Sequence, residues 1–571
     1  MKTMTKEKTI LGQPTADWKE EVVYQIYPKS FSDSNNDGIG DLKGITAKLD
    51  YLKELGVTML WICPIFTSPM VDNGYDIADY QAIQPEFGTM ADLEELIAAA
   101  KEKGMKIMLD LVVNHSSDEH EWFQKALADS QSPYRDYYIF KKGQAGNPPN
   151  NWRSIFGGSV WEPVANEADM YYFHTFDKKQ PDLNWENPAL RQEIYQMINW
   201  WLDKGIAGFR IDSITFIKKD QDYGDVPPDG SDGLGSVKVK TRNRPGIEKF
   251  LAELNQETFR QHDCVSVGEA PGVPYEQFDQ YIGPDGYFNM IFDFHYADID
   301  VENGSEWFRQ TKWQPQDLKE LMVKSQEAIQ ANGWGANFLE NHDQPRSLSK
   351  YITDKNYQNA IGAKALGTLF FFLRGTPFIY QGQEIGMKNF QRTSLADFND
   401  VSSIDNYHRS IQEGYTKEQA LGFVNQRSRD NTRTPFQWDA SATAGFSQTA
   451  TPWMKLVGDQ QEVNAADQVN HEQSVFHYYQ QMIQLRNHSD YRNTLIYGQF
   501  QSLGADPAII AYERIGQERI QVIVNLSNQP QHFDGAGELL LSNYPDTPAS
   551  SEQWQLQPYQ ALVLRKEDHH E

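Results

Sequence analysis

Short apolar and β-branched runs alternate with longer amphipathic stretches along most of the chain. Stretches such as MADLEELIAAAKEKG and NPALRQEIYQMINWWLDKG place apolar residues at helical spacing and end at a glycine. The repeated order of strand and helix indicates a parallel sheet, and eight units predict an α/β fold, a closed (β/α)8 TIM barrel. The eight runs are VVYQIYPKSF, TMLWICPIF, KIMLDLVVNH, IAGFRIDS, CVSVGEA, MIFDF, GANFLENHD and GTPFIYQGQE.

Two segments depart from this alternation. Residues 116–185 are rich in Asn, Gly, Trp and Tyr with little helical periodicity, which predicts a small domain inserted after the third strand. Beyond residue 490, short alternating runs such as AIIAYERI and RIQVIVNLS predict a C-terminal antiparallel β domain. The predicted organisation is therefore a barrel of residues 1–115 and 186–490, an inserted domain of residues 116–185 and a β domain of residues 491–571.

Composition narrows the functional classes. The formal net charge of −27 argues against binding to nucleic acid or to an anionic membrane surface, although a local pocket can differ from the whole. Aromatic residues make up 13% of the chain, and such side chains stack well on sugars. Cys63 and Cys264 lie in apolar runs, which indicates buried thiols in a reducing compartment. With no apolar stretch of membrane-spanning length and no signal-peptide core in MKTMTKEKTILGQPTADW, we expect a cytoplasmic protein.

The segment SDSNNDGIGDLKG spaces its oxygen-bearing side chains as a calcium-binding loop does. An EF-hand would require a bidentate Glu at the twelfth position of the loop, where this chain has Gly44. A calcium sensor is therefore excluded. The segment itself is compatible with two interpretations, a calcium loop or a polar turn after a strand.

Acidic and imidazole side chains recur at the carboxyl ends of the predicted strands, which form the catalytic face of such barrels. One acid there would be interpreted as a helix cap or a solvated charge. Several acids on one rim, near the aromatic residues of the insertion, indicate a pair of carboxylates that cleaves a glycosidic bond. One carboxyl group would protonate the leaving oxygen, and the other would attack the sugar carbon. The spacing of the imidazoles does not match the HExxH pattern of a zinc site. The acids and imidazoles at the predicted strand ends are Asp110, His115, Asp212, Glu269, His342 and Asp343.

DLVVNH, GFRIDS, VGEA and FLENHD resemble the four signature regions of the α-amylase superfamily, glycoside hydrolase family thirteen. QPDLN resembles the oligo-1,6-glucosidase and α-glucosidase branch of that family, and the resemblance extends to GTPFIYQGQEIGM and SRDNTRTPFQW. It implies that Asp212 is the nucleophile of a retaining mechanism, that Glu269 is the general acid/base and that Asp343 holds sugar hydroxyls. Arg210, two residues before Asp212 on a strand, is expected to keep that carboxylate ionised. Glu269, flanked by apolar residues, is expected to stay protonated near neutral pH.

The resemblance also implies a substrate pocket for a small oligosaccharide. An ion pair between Asp72 and Arg429 would close its far end, so that only the terminal sugar of a chain enters, which is typical of an exo-acting glucosidase. Tyr75 and Phe156 would wall the pocket, and imidazoles would bind sugar hydroxyls. The residues implied to bind substrate are Asp72, Tyr75, His115, Phe156, Arg210, Ser213, His342 and Arg429.

The same branch carries a structural calcium loop of the form DxNxDxIxD. By this resemblance, a Ca²⁺ ion after the first barrel strand would be held without touching substrate. The implied ligands are the side chains of Asp33, Asn35, Asp37 and Asp41 and the carbonyl of Ile39.

Linkage preference depends on Ser213. In the resembling branch Val at this position accompanies α-1,6 cleavage, whereas Ala or Thr accompanies α-1,4 cleavage, so Ser favours maltose and maltooligosaccharides as substrates, with transglycosylation as an additional outcome. QPDLN favours the alternative, an oligo-1,6-glucosidase acting on isomaltooligosaccharides. A trehalose-6-phosphate hydrolase, an endo-amylase and a non-catalytic transporter-associated homologue are less favoured alternatives. The sequence carries no signal for oligomeric state.

Overall fold

Eight parallel strands close a barrel in a computed structural model that describes residues 16–448 and 451–566. Most of the N-terminal stretch considered for a signal peptide lies outside the described residues. Each of the eight predicted runs contributes one strand, so the predicted (β/α)8 barrel is confirmed. In chain order the barrel strands are Val23–Ile26, Met59–Ile62, Lys106–Val112, Gly208–Asp212, Val265–Glu269, Met290–Phe292, Gly335–Asn337 and Thr376–Tyr380.

Strands that follow one another along the chain are also neighbours in the barrel, and the first strand closes it against the eighth, with Val23 opposite Phe378. The fourth strand is buried along its whole length and ends at Asp212, while the fifth ends at Glu269. Because these two strands are paired in parallel, both acids emerge at the same end of the barrel.

The helices around the barrel begin and end where their sequences predict. Met90–Glu102 is capped by Thr89, whose side chain accepts from the backbone of Asp92, and the chain turns at Gly104 with a φ of 78°. The described α-helices are Leu42–Ala47, Leu49–Leu55, Met90–Glu102, Glu121–Ala128, Pro188–Asp203, Lys238–Thr241, Ile247–Glu257, Phe278–Ile282, Pro315–Asn332, Ser347–Tyr351, Ala360–Phe371, Val401–Gln412, Lys417–Arg427, Ala465–Val469, Val475–His488 and Arg492–Tyr497.

The predicted insertion carries its own small sheets. Phe140–Lys142, Met170–Phe173 and Trp161–Pro163 form a three-stranded antiparallel sheet, and the segment also contains the helix Glu121–Ala128. Trp152–Arg153 pairs in parallel with Gly235–Ser236, which follows the fourth barrel strand. The insertion is therefore tied to the loop that leaves the strand of Asp212, and it overhangs the catalytic end of the barrel. A separate hairpin, Phe66–Thr67 with Asp79–Ile83, follows the second barrel strand.

The C-terminal region forms a six-stranded antiparallel sheet, as predicted. It begins at Gln499, because the first residues of the predicted β domain continue as the helix Arg492–Tyr497. One face of the sheet packs on the barrel, where the Tyr512 hydroxyl donates to the carbonyl of Leu369. In spatial order the strands are Gln499–Ser502, Ile509–Ile515, Arg519–Asn525, Ala561–Arg565, Gln531–Ser542 and Ser550–Leu556.

Cys63 and Cys264 are free, buried thiols, as the sequence predicted. Within residues 16–448 and 451–566, none of the helices combines the length and the apolar character needed to cross a membrane.

Candidate active site

A single guanidinium organises the acids at the carboxyl ends of the barrel strands. Arg210 is 1% exposed and donates to Asp212 Oδ1 at 2.7 Å and to Asp110 Oδ1 at 2.8 Å. Its other terminal nitrogen lies 3.1 Å from Glu269 Oε2. The structure thus places Arg210 and Asp212 on the same side of their strand, as expected, and brings both proposed catalytic carboxylates to one cation.

Ser213 connects the same two acids. It has a φ of +46°, a left-handed conformation that is unusual for a residue with a side chain. From this turn its backbone N–H donates to Glu269 Oε2 at 2.7 Å, and its hydroxyl donates to Asp212 Oδ2 at 2.7 Å. Since a hydroxyl carries one proton, Ser213 has no proton left to donate to a sugar while it donates to Asp212.

Burial raises the pKa of Glu269 to about 8, with a further contribution from the Asp212 charge and against the opposing effect of Arg210. Oε2 of this carboxyl already faces two donors, Ser213 N–H and Arg210. A proton on Glu269 is therefore placed on Oε1. The expectation that this acid stays protonated near neutral pH agrees with the direction of its pKa shift.

Asp343 is held in its ionised form. Burial alone would raise the pKa of Asp343, but nearby positive charge, including Arg429 and Arg433, lowers it well below its usual value. Arg433 donates to Asp343 Oδ1 at 2.7 Å, and Arg429 lies 3.4 Å from the same oxygen. Asp343 and Glu269 thus have opposite pKa shifts although both are acids of one pocket.

The Asp72 and Arg429 ion pair forms as expected, with a distance of 2.8 Å between Asp72 Oδ1 and an Arg429 nitrogen. Arg429 also contacts Asp400 Oδ1 at 2.6 Å, and the Gln180 amide donates to Asp72 Oδ2 at 3.1 Å. The ring of Phe156 lies 5.0 Å from the Arg429 guanidinium. These contacts fix the ion pair rigidly against one wall of the pocket.

His342 stacks on Tyr75 with ring centroids 5.1 Å apart and an interplanar angle of 12°. Burial lowers the pKa of His342 well below its usual value, so the imidazole is neutral. Gln25 donates to its Nδ1 at 2.8 Å, which leaves the proton on Nε2. Nε2 makes no hydrogen bond among the described residues, although it lies 3.2 Å from Asp343 Oδ2. Because His342 is fully buried, its binding to a sugar hydroxyl stays a prediction.

His115 is placed differently from His342. Its Nε2 donates to the carbonyl of Tyr75 at 2.9 Å, and the amide of Asn114 lies 3.2 Å from its Nδ1. Both ring nitrogens therefore have partners within the protein. His115 borders the pocket, and its binding to a sugar hydroxyl stays a prediction.

Most of the side chains described above enclose a cavity of about 100 Å³, which we call the catalytic pocket. Its volume lies well below the roughly 300 to 1,000 Å³ of sites for drug-sized ligands, which suits a single sugar ring. Arg210 and His342 lie behind its walls rather than in them. Three residues of this site were not predicted from the sequence: Phe176, Asp400 and Arg433. Arg433 could have been predicted, because it is the last residue of the motif SRDNTR. The lining residues are Asp72, Tyr75, His115, Phe156, Phe176, Asp212, Ser213, Glu269, Asp343 and Arg429.

The predicted calcium loop follows the first barrel strand. Carboxylate, amide and carbonyl oxygens are the donors that calcium prefers, so the donor chemistry of the loop fits this ion. In the structure these oxygens accept from the loop itself, for example Asp33 Oδ2 from Gly38 N–H at 2.8 Å and Asp41 Oδ2 from Ser34 N–H at 2.8 Å. Among the described residues no group of three or more His, Cys, Asp or Glu side chains is arranged to hold a metal ion. Calcium binding stays a prediction.

The barrel and its acidic pocket agree with comparisons to known proteins. Residues 25–497 match the model of the α-amylase catalytic domain. The chain is 43% identical to the oligo-1,6-glucosidase of Parageobacillus thermoglucosidasius over 96% of its own length and 98% of that protein, and 42% identical to the Bacillus cereus oligo-1,6-glucosidase over 96% and 99%. The crystal structure of isomaltulose synthase from Klebsiella sp. LX3 superposes with a TM-score of 0.91 at 38% identity, covering 97% of this chain and 100% of that one.

The chain therefore belongs to the α-amylase family, and within that family to the α-glucosidase branch. It is a glycoside hydrolase, as the strand-end carboxylates indicated.

Proposed function

We propose that this protein is an exo-acting, retaining α-glucosidase that releases the terminal glucose of short α-1,6-linked glucosides such as isomaltose. The observation that carries the proposal is the catalytic pocket, which is lined by Asp212 and Glu269 and bounded by the Asp72 and Arg429 ion pair. A pocket of about 100 Å³ with a fixed ion pair in its wall accepts one sugar at a chain end rather than the middle of a glucan.

In the proposed reaction Asp212 attacks the anomeric carbon while Glu269 transfers its Oε1 proton to the leaving glycosidic oxygen. The bond from the anomeric carbon to that oxygen breaks, and a glucosyl ester with Asp212 forms. Glu269, now ionised, then takes a proton from water, whose oxygen attacks the same carbon and frees Asp212. Arg210 and Ser213 aim Asp212 by holding its two oxygens separately. Two displacements retain the α configuration.

The remaining polar groups of the pocket suit an uncharged sugar. Asp343, ionised and held by Arg433, lines the pocket and can accept from two sugar hydroxyls. Every charged group in this arrangement has an opposite charge within the protein. Substrate binding therefore requires oriented hydrogen bonds rather than a net charge.

The choice of α-1,6 over α-1,4 linkage revises our sequence expectation. The preference for maltose rested on the small, hydroxylated residue at position 213, and the proton of the Ser213 hydroxyl is donated to Asp212. Identities of 42–43% to oligo-1,6-glucosidases over nearly the whole chain, together with QPDLN, support the α-1,6 alternative. Maltose hydrolysis remains the second candidate, because the small side chain of Ser213 leaves space beside the scissile bond.

The test is a set of specificity constants for the purified protein on isomaltose, isomaltotriose, maltose and trehalose. We expect kcat/KM for isomaltose to exceed that for maltose by about tenfold, the usual effect of one contact on substrate choice. NMR of the glucose first released from a nitrophenyl α-glucoside should show the α anomer, and reaction at high isomaltose concentration tests for trisaccharides formed by transglycosylation. Initial release of β-glucose from that glucoside would overturn the retaining mechanism, and a higher constant for maltose would overturn the linkage assignment.

A further inference from the structure

A second cavity lies at the end of the barrel opposite to the catalytic pocket. Its volume is about 730 Å³, and we call it the basal cavity. Cys264, Asn289 and Trp334, which border it, directly precede the fifth, sixth and seventh barrel strands. Since Glu269 lies at the other end of the fifth strand, the basal cavity is separated from the catalytic pocket by the length of the barrel. The proposed reaction does not use it.

The charge of the basal cavity is opposite to that of the chain. Among the described residues, those that line it include Lys19, Arg260 and Arg374 but no Asp or Glu. The chain as a whole contains 79 acidic residues against 52 Lys and Arg. An acid-free wall with three cations is therefore a local reversal of the overall balance, and it creates a positive potential in an otherwise negative protein.

Two of these cations lie against the same aromatic ring, and neither has a carboxylate partner among the described residues. Lys19 Nζ and the guanidinium carbon of Arg374 lie 5.1 Å and 4.7 Å from the ring centroid of Trp334. Burial lowers the pKa of Lys19, and the neighbouring charge of Arg374 lowers it further. Within the part of the chain that the structure describes, the carboxylate nearest to Arg260 is that of the fully exposed Asp285, at 3.7 Å. An anion between these side chains would relieve their mutual repulsion.

The other walls can bind a ring. Trp18 and Tyr287 are half-buried aromatic residues, and the side-chain amides of Asn289 and Asn332 supply hydrogen-bonding groups. The cavity volume lies within the range of roughly 300 to 1,000 Å³ found for small-molecule sites. Cations on one side and aromatic and amide groups on the other match a ligand that carries both a phosphate and a ring.

We propose that the basal cavity binds a phosphate monoester of a small ring compound, with the phosphate between Lys19 and Arg374 and the ring against Trp18 and Tyr287. Guanidinium and ammonium groups are the standard protein partners of phosphate, and a doubly charged phosphate balances two cations. Sugar phosphates and nucleoside monophosphates share this chemistry.

The experiment is isothermal titration calorimetry with glucose 6-phosphate, AMP and inorganic phosphate, in a buffer with enough glucose to fill the catalytic pocket. Lys19→Gln and Arg374→Gln remove the two charges assigned to the phosphate, and Lys101→Gln, which changes an exposed lysine outside the cavity, is the matched control. We expect saturable binding of a monoester to the wild type and to Lys101→Gln, and binding weaker by about tenfold or more in Lys19→Gln and in Arg374→Gln. Hydrolysis of a nitrophenyl α-glucoside should be equal in all four proteins, which verifies folding.

Which monoester binds more tightly identifies the source of the ring. The proposal is overturned if neither monoester shows saturable binding at concentrations up to about 10 mM. A ligand that binds more weakly than this would leave the cavity mostly empty at ordinary cellular concentrations. It is also overturned if both cavity variants bind as the wild type does. Inorganic phosphate binding as tightly as the monoesters would contradict the role given to the aromatic wall. None of these outcomes depends on the linkage that the catalytic pocket cleaves.

Discussion

The cavities at the two ends of the barrel differ in how their charged side chains are paired. In the catalytic pocket each acid faces a cation of the protein, such as Arg210 at Asp212 or Arg433 at Asp343. In the basal cavity Lys19 and Arg374 lie against one tryptophan, and no described acid lines the cavity. A pocket whose charges are paired internally suits a neutral sugar, whereas a pocket with unpaired cations suits a ligand that brings the charge itself.

The comparison also shows how the barrel separates functions. Loops at the carboxyl ends of the strands build the catalytic pocket, and segments before the amino ends of the strands build the basal cavity. Because the core of the barrel lies between them, a substitution at one end is expected to leave the other intact. The predictions below test this independence along with the chemistry of the catalytic end.

The largest expected effect is that of Asp212→Ala. Without the nucleophile no glucosyl ester forms, so kcat on isomaltose should fall by about 10⁴-fold or more, the size of effect seen on removing catalytic nucleophiles. Steady-state kinetics measures this change, and calorimetry should show that binding at the basal cavity is unchanged. Turnover near the wild-type rate would refute the assignment of the catalytic pocket.

Glu269→Gln should have a smaller, substrate-dependent effect. Removing the proton donor is expected to cost about 10³-fold on isomaltose but much less for glucosyl transfer from a nitrophenyl glucoside, whose leaving group needs little protonation. Gln keeps an oxygen that can accept from Ser213 N–H, so the variant is nearly isosteric. Pre-steady-state release of nitrophenol measures the first step. Equal losses on both substrates would argue against an acid role.

The pH dependence of the wild type follows from the same carboxyl. Burial raises the pKa of Glu269 to about 8, so the protonated acid predominates below this pH and is lost above it. We expect kcat/KM on isomaltose to fall about tenfold per pH unit above this pKa, as for loss of one essential proton. Glu269→Gln should lack this alkaline limb. If kcat/KM of the variant still falls at alkaline pH, the titrating group is not Glu269.

Two substitutions of Ser213 distinguish a role in positioning Asp212 from a role in linkage choice. Ser213→Ala removes the hydrogen bond to Asp212 and should lower kcat about tenfold on isomaltose and maltose alike. Ser213→Val adds bulk beside the scissile bond and should shift the ratio of specificity constants toward isomaltose by about tenfold. Val is strained at a φ of +46°, so melting temperatures must accompany the kinetics. A changed ratio in Ser213→Ala would show that the hydroxyl itself selects the linkage.

The smallest expected effect concerns the loop after the first barrel strand. If the loop binds calcium, chelation should lower the melting temperature by about 2 to 4 °C, because an ion bound to the folded state stabilises it by mass action. Asp37→Ala should reproduce the shift, while activity at moderate temperature and binding at the basal cavity stay unchanged. Calorimetric melting without any response to chelator or added calcium would leave the loop as a polar turn.

The barrel and the place of its chemistry follow from the sequence pattern. Eight apolar runs separated by amphipathic helices predict a closed parallel barrel, and the chain order then places Asp212 and Glu269 at the ends of neighbouring strands. Cys63 and Cys264 were predictable as buried thiols for the same reason, since burial follows from local apolar pattern. The pairing of Asp72 with Arg429, 357 positions apart, came from a motif resemblance and not from any local pattern.

The partner of the Ser213 hydroxyl could be seen only in the folded chain, because it depends on a turn with a left-handed backbone angle. It also brought Asp400 to Arg429, and Phe176 into the catalytic pocket. The basal cavity had no sequence signal, since Lys19, Arg260 and Arg374 come from three distant segments and look like ordinary basic residues in each. Hydrophobic periodicity reports which face of an element is buried, whereas the charge of a cavity depends on which elements meet there, and only the folded chain supplies that information.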